Sequence, residues 1–333
     1  MPIKIKPRII FISWIAHNRR SQLLAKELDI KLYAIQSLKR LYVLAPIRYI
    51  LQGIKSFIIM IKNKPDLIFV QNPPIFASLV AYLYSKIKKS KYIIDSHTGA
   101  LLAPWWRWSL PIHSFLSRRA LATIVTNEHL QKMVTSWNAN AFILADIPTV
   151  FPAGNGYLLL EADFNIAVIN TFSPDEPINI ILKAAAELPD VNFYITGDTI
   201  RAKKEQLHDH PENITFTGFL SDDRYISLLR AVQTIMVLTT DNHTMQRGAC
   251  EALSLGQPII TSDWPVLRRY FNKGTIFVDN TVKEIRDGVL RMRENRLELK
   301  KEIMILQKES NQEWRNKFFQ LTRMIEDGLV NEK

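Results

Sequence analysis

Short β-branched apolar runs, bounded by polar turns, alternate with stretches of helical period along most of this chain. Runs at Arg8–Trp14, Leu67–Gln71, Tyr92–Asp95, Thr123–Thr126 and Ala141–Leu144 read as strands. Helical periods lie between them at Ser21–Leu28, around Ile47–Lys62, and at Pro74–Lys88 and His113–Ala122. Residues Asp146–Asp163 (DIPTVFPAGNGYLLLEAD) then carry two prolines, two glycines and no period, which marks a linker. The rhythm restarts with strands at Phe164–Asn170, Asn192–Gly197, Ile214–Thr217, Thr234–Thr240, Pro258–Ser262 and Thr275–Val278. Its helices are Ile178–Leu188, Asp223–Ala231 and one carrying Glu251 that stops at Gly256–Pro258.

Such alternation demands parallel sheets with helices on both faces. The expected fold is therefore α/β, with two Rossmann-like doubly wound domains facing a cleft. The expected division is 1–150, a linker at 151–163, a second domain at 164–290, and C-terminal helices at 291–333. Those helices should pack back across the junction through Trp314, Phe318, Phe319 and Leu321.

The net charge of +11 is unevenly shared. Residues 1–150 hold 21 Lys and Arg against six Asp and Glu, whereas the remainder holds 22 against 26. The basic half also contains Trp105, Trp106, Trp108 and the apolar stretch Leu41–Ile61, which Pro46, Arg48 and Lys55 interrupt. Those breaks deny it the roughly 20 uncharged residues of a spanning helix. A peripheral place on an anionic membrane fits this composition, and the resemblance given below implies its inner, cytoplasmic face. No nucleic-acid-binding module is recognisable, so nucleic acid is not an expected partner. The opening MPIKIKPRIIFISWI runs into His-Asn-Arg-Arg without a small-residue cleavage site and reads as a first strand, not a leader. The single cysteine, Cys250, reads as a small buried residue. No zinc-type Cys/His spacing occurs, so neither a metal site nor a cofactor is expected.

Parallel α/β sheets bind ligands outside the carboxyl ends of their strands. Compact polar residues stand at nearly every such end: His17–Arg20, Gln71–Pro74, Asp95–Gly99, Asn127–Glu128, Asn170–Ser173, Thr196–Asp198, Gly218–Leu220 and Asp241–Thr244. That distribution points to a ligand-binding cleft. The Walker lysine loop, the G-x-G-x-x-G fingerprint and the G-x-S-x-G elbow are all absent. Their absence argues against P-loop ATPases, dinucleotide dehydrogenases and α/β-hydrolases.

Asn213–Asp279, with its G-F-L turn, its Glu251 helix and its G-Q-P-I strand, resembles the nucleotide-sugar domain of GT-B glycosyltransferases of the glycogen-synthase/mannosyltransferase-like group. VQNPP at Val70–Pro74 and YIIDSHTG at Tyr92–Gly99 are similar to motifs of the chitobiosyl-lipid β-1,4-mannosyltransferase. The resemblance implies transfer of a hexose from a nucleotide diphosphate sugar to a lipid-linked or polysaccharide-precursor acceptor, without a bound metal. It implies that Glu251 accepts hydrogen bonds from the ribose, the strong charge-assisted kind. Gly248 and Ala249, with Cys250, would let the diphosphate approach the helix N-terminus. Gly218 and Phe219 would flank the base, and Gly197 lies at a neighbouring strand end.

Many relatives carry a second glutamate eight positions before the Glu251 equivalent, where this chain has His243. The sugar contact then falls to Asp241, Asn242, His243 or Thr244. Asp95 is a candidate base, and His97 a base, an orienter or a donor to the diphosphate. Arg19, Arg20 and Lys203 are candidates for stabilising the departing diphosphate. Two other readings share the fold: a nucleotide-sugar epimerase, and a catalytically degenerate binding or scaffold protein.

Overall fold

The computed structural model describes residues 7–15, 18–36, 45–151, 160 and 162–330. His17 and most of the linker, residues 152–159 and 161, lie outside them, as does the start of the Leu41–Ile61 stretch. The chain forms two compact units, Met1–Ile147 with Trp314–Lys333, and Pro148–Glu313.

The first unit holds six parallel strands: β1 (Ile9–Ser13), β2 (Lys31–Ala34), β3 (Leu67–Asn72), β4 (Lys91–Ser96), β5 (Ala122–Val125) and β6 (Ala141–Ile143). Their order is β2-β1-β3-β4-β5-β6, so the winding reverses between β1 and β3. Every residue of β3 is buried, as a strand covered on both faces requires. Its side chains alternate. Ile68 and Val70 meet helices Ala45–Asn63 and Ile75–Lys88, while Leu67 and Phe69 meet helix Arg19–Glu27. β2 escaped the sequence reading because it is a half-exposed edge of four residues, KLYA, with little apolar signal.

The second unit holds β7 (Asn165–Val168), β8 (Asn192–Thr196), β9 (Ile214–Gly218), β10 (Thr234–Val237), β11 (Ile259–Ser262) and β12 (Thr275–Val278). All pair in parallel in the order β12-β11-β10-β7-β8-β9, which reverses between β7 and β10. Both sheets are doubly wound, as the alternating pattern requires.

The C-terminal tail is one helix, Val282–Val330, of 49 residues, where several helices were expected. Its early residues Ile285, Val289 and Met292 enter the core of the second unit. Trp314, Leu321 and Ile325 enter the core of the first, beside Phe11, Leu24 and Phe69. These anchors recur every seven or four residues and so share one face. Phe319 does not belong to them: it is 58% exposed, because it is displaced from the stripe that Phe318 and Leu321 follow. Leu321→Ala should therefore cost roughly 2–5 kcal/mol, and Phe319→Ala should stay within about 0.5 kcal/mol of wild type. Urea unfolding of the two variants checks this, and equal losses would mean that the docked face is assigned wrongly.

Candidate functional site

In the first unit, three polar side chains form a row across the carboxyl ends of adjacent strands. Ser13 Oγ on β1 donates to Gln71 Oε1 on β3, and Gln71 stands in register with Asp95 on β4. Asp95 has no exposed surface. An ionised carboxylate there needs partners, and Arg20 supplies one, its Nε 3.1 Å from Asp95 Oδ1. The same guanidinium bonds Asp146 Oδ1 at 2.8 Å and the Leu144 carbonyl at 3.0 Å. Burial pushes the Asp95 pKa up, but the Arg20 charge and the nearby His97 outweigh it and hold it at about 2. His97 begins the short helix Thr98–Leu102. Its Nε2 lies 3.4 Å from Asp95 Oδ2, and its side chain is 23% exposed. Neither of those two atoms has an aligned hydrogen-bond partner.

This geometry corrects two expectations. Arg20 is buried between two carboxylates, so its charge is already balanced and it is not available to a diphosphate. Asp95 has no exposed surface and stays ionised, which does not fit the expectation of a base that reaches an acceptor hydroxyl. Arg19, the adjacent residue, is half-buried in the first turn of helix Arg19–Glu27, which Asn18 caps by accepting from the Ser21 N–H.

In the second unit, the loops that follow β7 and β10 interlock where the strand order reverses. Thr239 Oγ1 donates to Asp175 Oδ2 at 2.8 Å, and the Thr240 N–H donates to the Asp175 carbonyl at 2.7 Å. Glu176 accepts from the N–H groups of Thr171 and Ser173 at 2.8 and 2.9 Å. Within the second loop, Thr244 Oγ1 donates to Asp241 Oδ2 at 2.6 Å, and the His243 N–H approaches Asp241 Oδ1 at 3.4 Å. Asp241 and Thr244 thus hold the turn together, while the His243 side chain is half-buried and Asn242 is exposed.

Helix Arg247–Ser254 follows, with no side-chain cap at Gln246. Glu251 is its fifth residue, one turn inside the start that the sequence suggested, and is 6% exposed. It accepts from Tyr225 Oη at 2.8 Å, and Arg247 Nε lies 3.3 Å from its other oxygen. The small residues beside it serve packing. A Cβ on Gly248 would stand 2.9 Å from Ile169 Cγ2, and Ala249 and Cys250 are buried among Val237, Leu253 and Ile259. Their side-chain positions face the protein, so their smallness serves packing. The N–H groups of the first turn remain directed outward along the helix axis.

Gly197, at φ +121°, would place a Cβ 2.4 Å from the Asn170 carbonyl, and its N–H reaches the Gly218 carbonyl at 3.4 Å. It therefore draws the ends of β7, β8 and β9 together. Gly218, at φ +67°, has open space where a side chain would be, and Phe219 beyond it is 86% exposed. Lys203 stands on a separate turn, its N–H bonded to Gln206 Oε1 at 2.9 Å. Two neighbours of Glu251 were not anticipated. Arg247 was legible as a cation four residues before it, one helical turn away. Tyr225 comes from a distant helix and carries no local signal. Among the described residues, no group of three or more His, Cys, Asp or Glu gathers to hold a metal ion.

Removing one partner of a buried ion pair leaves the other charge stranded, so Arg20→Met should cost roughly 3–5 kcal/mol at neutral pH. Asp95 has a lowered pKa, so its stabilising share is complete above pH about 4 and disappears as pH falls toward about 2. The deficit of the variant should shrink over that interval in denaturant titrations. A constant deficit would mean that Arg20 contributes packing and not charge.

Residues 157–309 match the family model described as Glycosyl transferases group 1. No curated protein matches the chain. Among solved structures, sucrose-phosphate synthase of Thermosynechococcus elongatus superposes with a TM-score of 0.72 at 12% identity, over 98% of this chain and 100% of that one. Anabaena HepE, in complex with UDP and glucose, gives 0.71 at 14% identity over 96% and 100%. A putative UDP-N-acetylglucosamine 2-epimerase of Listeria monocytogenes gives 0.61 at 11% identity over 90% and 91%. The chain thus has the two-sheet α/β fold of GT-B glycosyltransferases, and its second unit carries a match to the group 1 glycosyl transferases.

Proposed function

We propose that the protein is a hexosyltransferase. It moves a hexose from a nucleotide diphosphate sugar to a lipid-linked or polysaccharide-precursor acceptor at the inner, cytoplasmic face of a membrane. The observation that carries this reading is the Glu251 cluster. A nearly buried carboxylate, a phenol and a guanidinium meet at the first turns of an uncapped helix, within the group 1 match. Glu251 has the acceptor character that ribose hydroxyls require, and Arg247 with the helix N–H groups has the charge that a leaving diphosphate requires. Phe219, exposed beyond the open Gly218 turn, offers a face to the base. HepE, of similar fold, binds UDP and glucose, which supports a uridine or related donor.

We assign the donor to the second unit and the acceptor to the first. In the first unit, His97 takes the proton of the acceptor hydroxyl, with Asp95, held ionised by Arg20, beside its imidazole. The acceptor oxygen bonds to the anomeric carbon as the carbon–oxygen bond to the diphosphate breaks, and the nucleoside diphosphate departs with that electron pair. The VQNPP and YIIDSHTG motifs favour a lipid-linked acceptor, since the mannosyltransferase they resemble acts on a chitobiosyl lipid. The basic first half favours an anionic leaflet.

Thermal unfolding with UDP, GDP, ADP and their sugar conjugates tests the donor assignment. One nucleotide should raise the melting temperature selectively, since ligand at about 100 times Kd adds roughly 2.7 kcal/mol. Glu251→Ala should weaken that nucleotide by about 10- to 100-fold, the range of a charged hydrogen bond of roughly 1.5–3 kcal/mol. If no nucleotide moves the folded wild type, the degenerate binding protein becomes the better reading. His243, standing where many relatives have glutamate, already points toward it.

A further inference from the structure

Helix Ala45–Asn63 packs Met60, Tyr49, Phe57 and Ile59 against the core of the first unit, yet it carries a second apolar face outward. Its buried residues include Gln52 and Ser56. Gln52 Nε2 donates to the Ile35 and Trp14 carbonyls at 2.8 and 3.3 Å, and Ser56 Oγ accepts from Trp14 Nε1 at 2.8 Å. Ile47, Ile50, Leu51, Ile54, Ile58 and Ile61 point the other way, each between 37% and 62% exposed. At about 100° per residue these six fall within a stripe about 100° wide.

The flank of the stripe is equally ordered. Arg48, Lys55 and Lys62 recur every seven residues, so they form a second line along one edge of the apolar one. The helix contains no Asp or Glu. At its N-terminal end, Tyr49 packs on Phe76 at 5.0 Å and Phe76 on Trp108 at 5.9 Å, which ties the exposed Trp108 to the same region of the unit. A contiguous exposed apolar stripe of this kind marks a surface that water does not normally cover.

We infer that this face is the membrane-docking surface of the protein. The helix lies in the plane of an anionic bilayer, with its six apolar side chains at the acyl boundary and Arg48, Lys55 and Lys62 at the lipid phosphates. Trp108 sits at headgroup depth, where indoles concentrate. Charge selects this occupant over a second copy of the chain. A twofold contact sets one patch against itself, and here it would bring together basic lines with no acidic residue on the helix to pair them. Among the described residues, no helix is long and apolar enough to cross a membrane, so the contact is one of lying on the surface. The inference rests on the membrane-bound acceptor reading for its purpose, though not for its evidence.

Flotation of the full chain with phosphatidylcholine vesicles containing phosphatidylglycerol tests it. The wild type should bind at low salt and release as salt rises. Ile50→Ser/Ile54→Ser/Ile58→Ser should lower partition at least tenfold, and Lys55→Glu/Lys62→Glu should abolish the preference for anionic over neutral vesicles. Both variants should keep the wild-type melting temperature and nucleotide response, so failure here leaves the donor reading standing. A wild type that does not bind anionic vesicles at low salt overturns the inference. So does a triple variant that binds like wild type, or a wild-type dimer that the triple variant converts to monomer while vesicle binding is unchanged.

Discussion

A parallel sheet covered on both faces leaves few places where a polar side chain can be useful, and the strand ends are the chief of them. Both units obey this constraint. The buried centre of β3 is Ile68–Val70, and its polar residues, Gln71 and Asn72, come only at its end. Asp95 ends β4 in the same way, while Thr239 and Asp241 follow the end of β10. The differing strand orders change where the winding reverses but not this rule. The candidate residues sit at a strand end, or in the loop and first helical turns that follow one.

The same logic explains what could be read from the chain and what could not. Fully buried strands announce themselves, because both faces need apolar residues and the run becomes continuous. β10 and β11 were visible for that reason, and the edge strand β2 was not. Glu251 was legible as an acid where small apolar residues surround it, yet the purpose of those small residues was not. Whether Gly248 makes room for a ligand or for Ile169 depends on a side chain nearly eighty positions away. Arg19 and Arg20 are neighbours of identical chemistry, and only the tertiary position of Asp95 and Asp146 separates their fates.

Arg20 shows how a buried charge can act indirectly. Left alone, burial would drive Asp95 toward the neutral acid; paired with Arg20, it remains an anion. That anion lies 3.4 Å from the His97 imidazole. The third partner, Asp146, accepts from another nitrogen of the same guanidinium, and it lies two residues before the second unit begins. A single guanidinium thereby ties the first helix, the end of β4 and the exit from β6 into one buried network, which explains why it cannot also serve a ligand.

Helix Ala45–Asn63 presents the converse problem: apolar groups that are not buried. A helix in water gains from turning such a stripe inward, and here Gln52 and Ser56 hold inward positions beside Met60 through hydrogen bonds to Trp14 and Ile35. Those hydrogen bonds fix the rotation of the helix about its axis. Turning Ile50, Ile54 and Ile58 inward would strand both polar side chains and the Trp14 indole N–H, each at a cost of about 1–3 kcal/mol. The exposed stripe is therefore not a face that failed to find its core. It is held outward by specific bonds, with a line of three cations beside it, and the proposed membrane contact rests on those two features together.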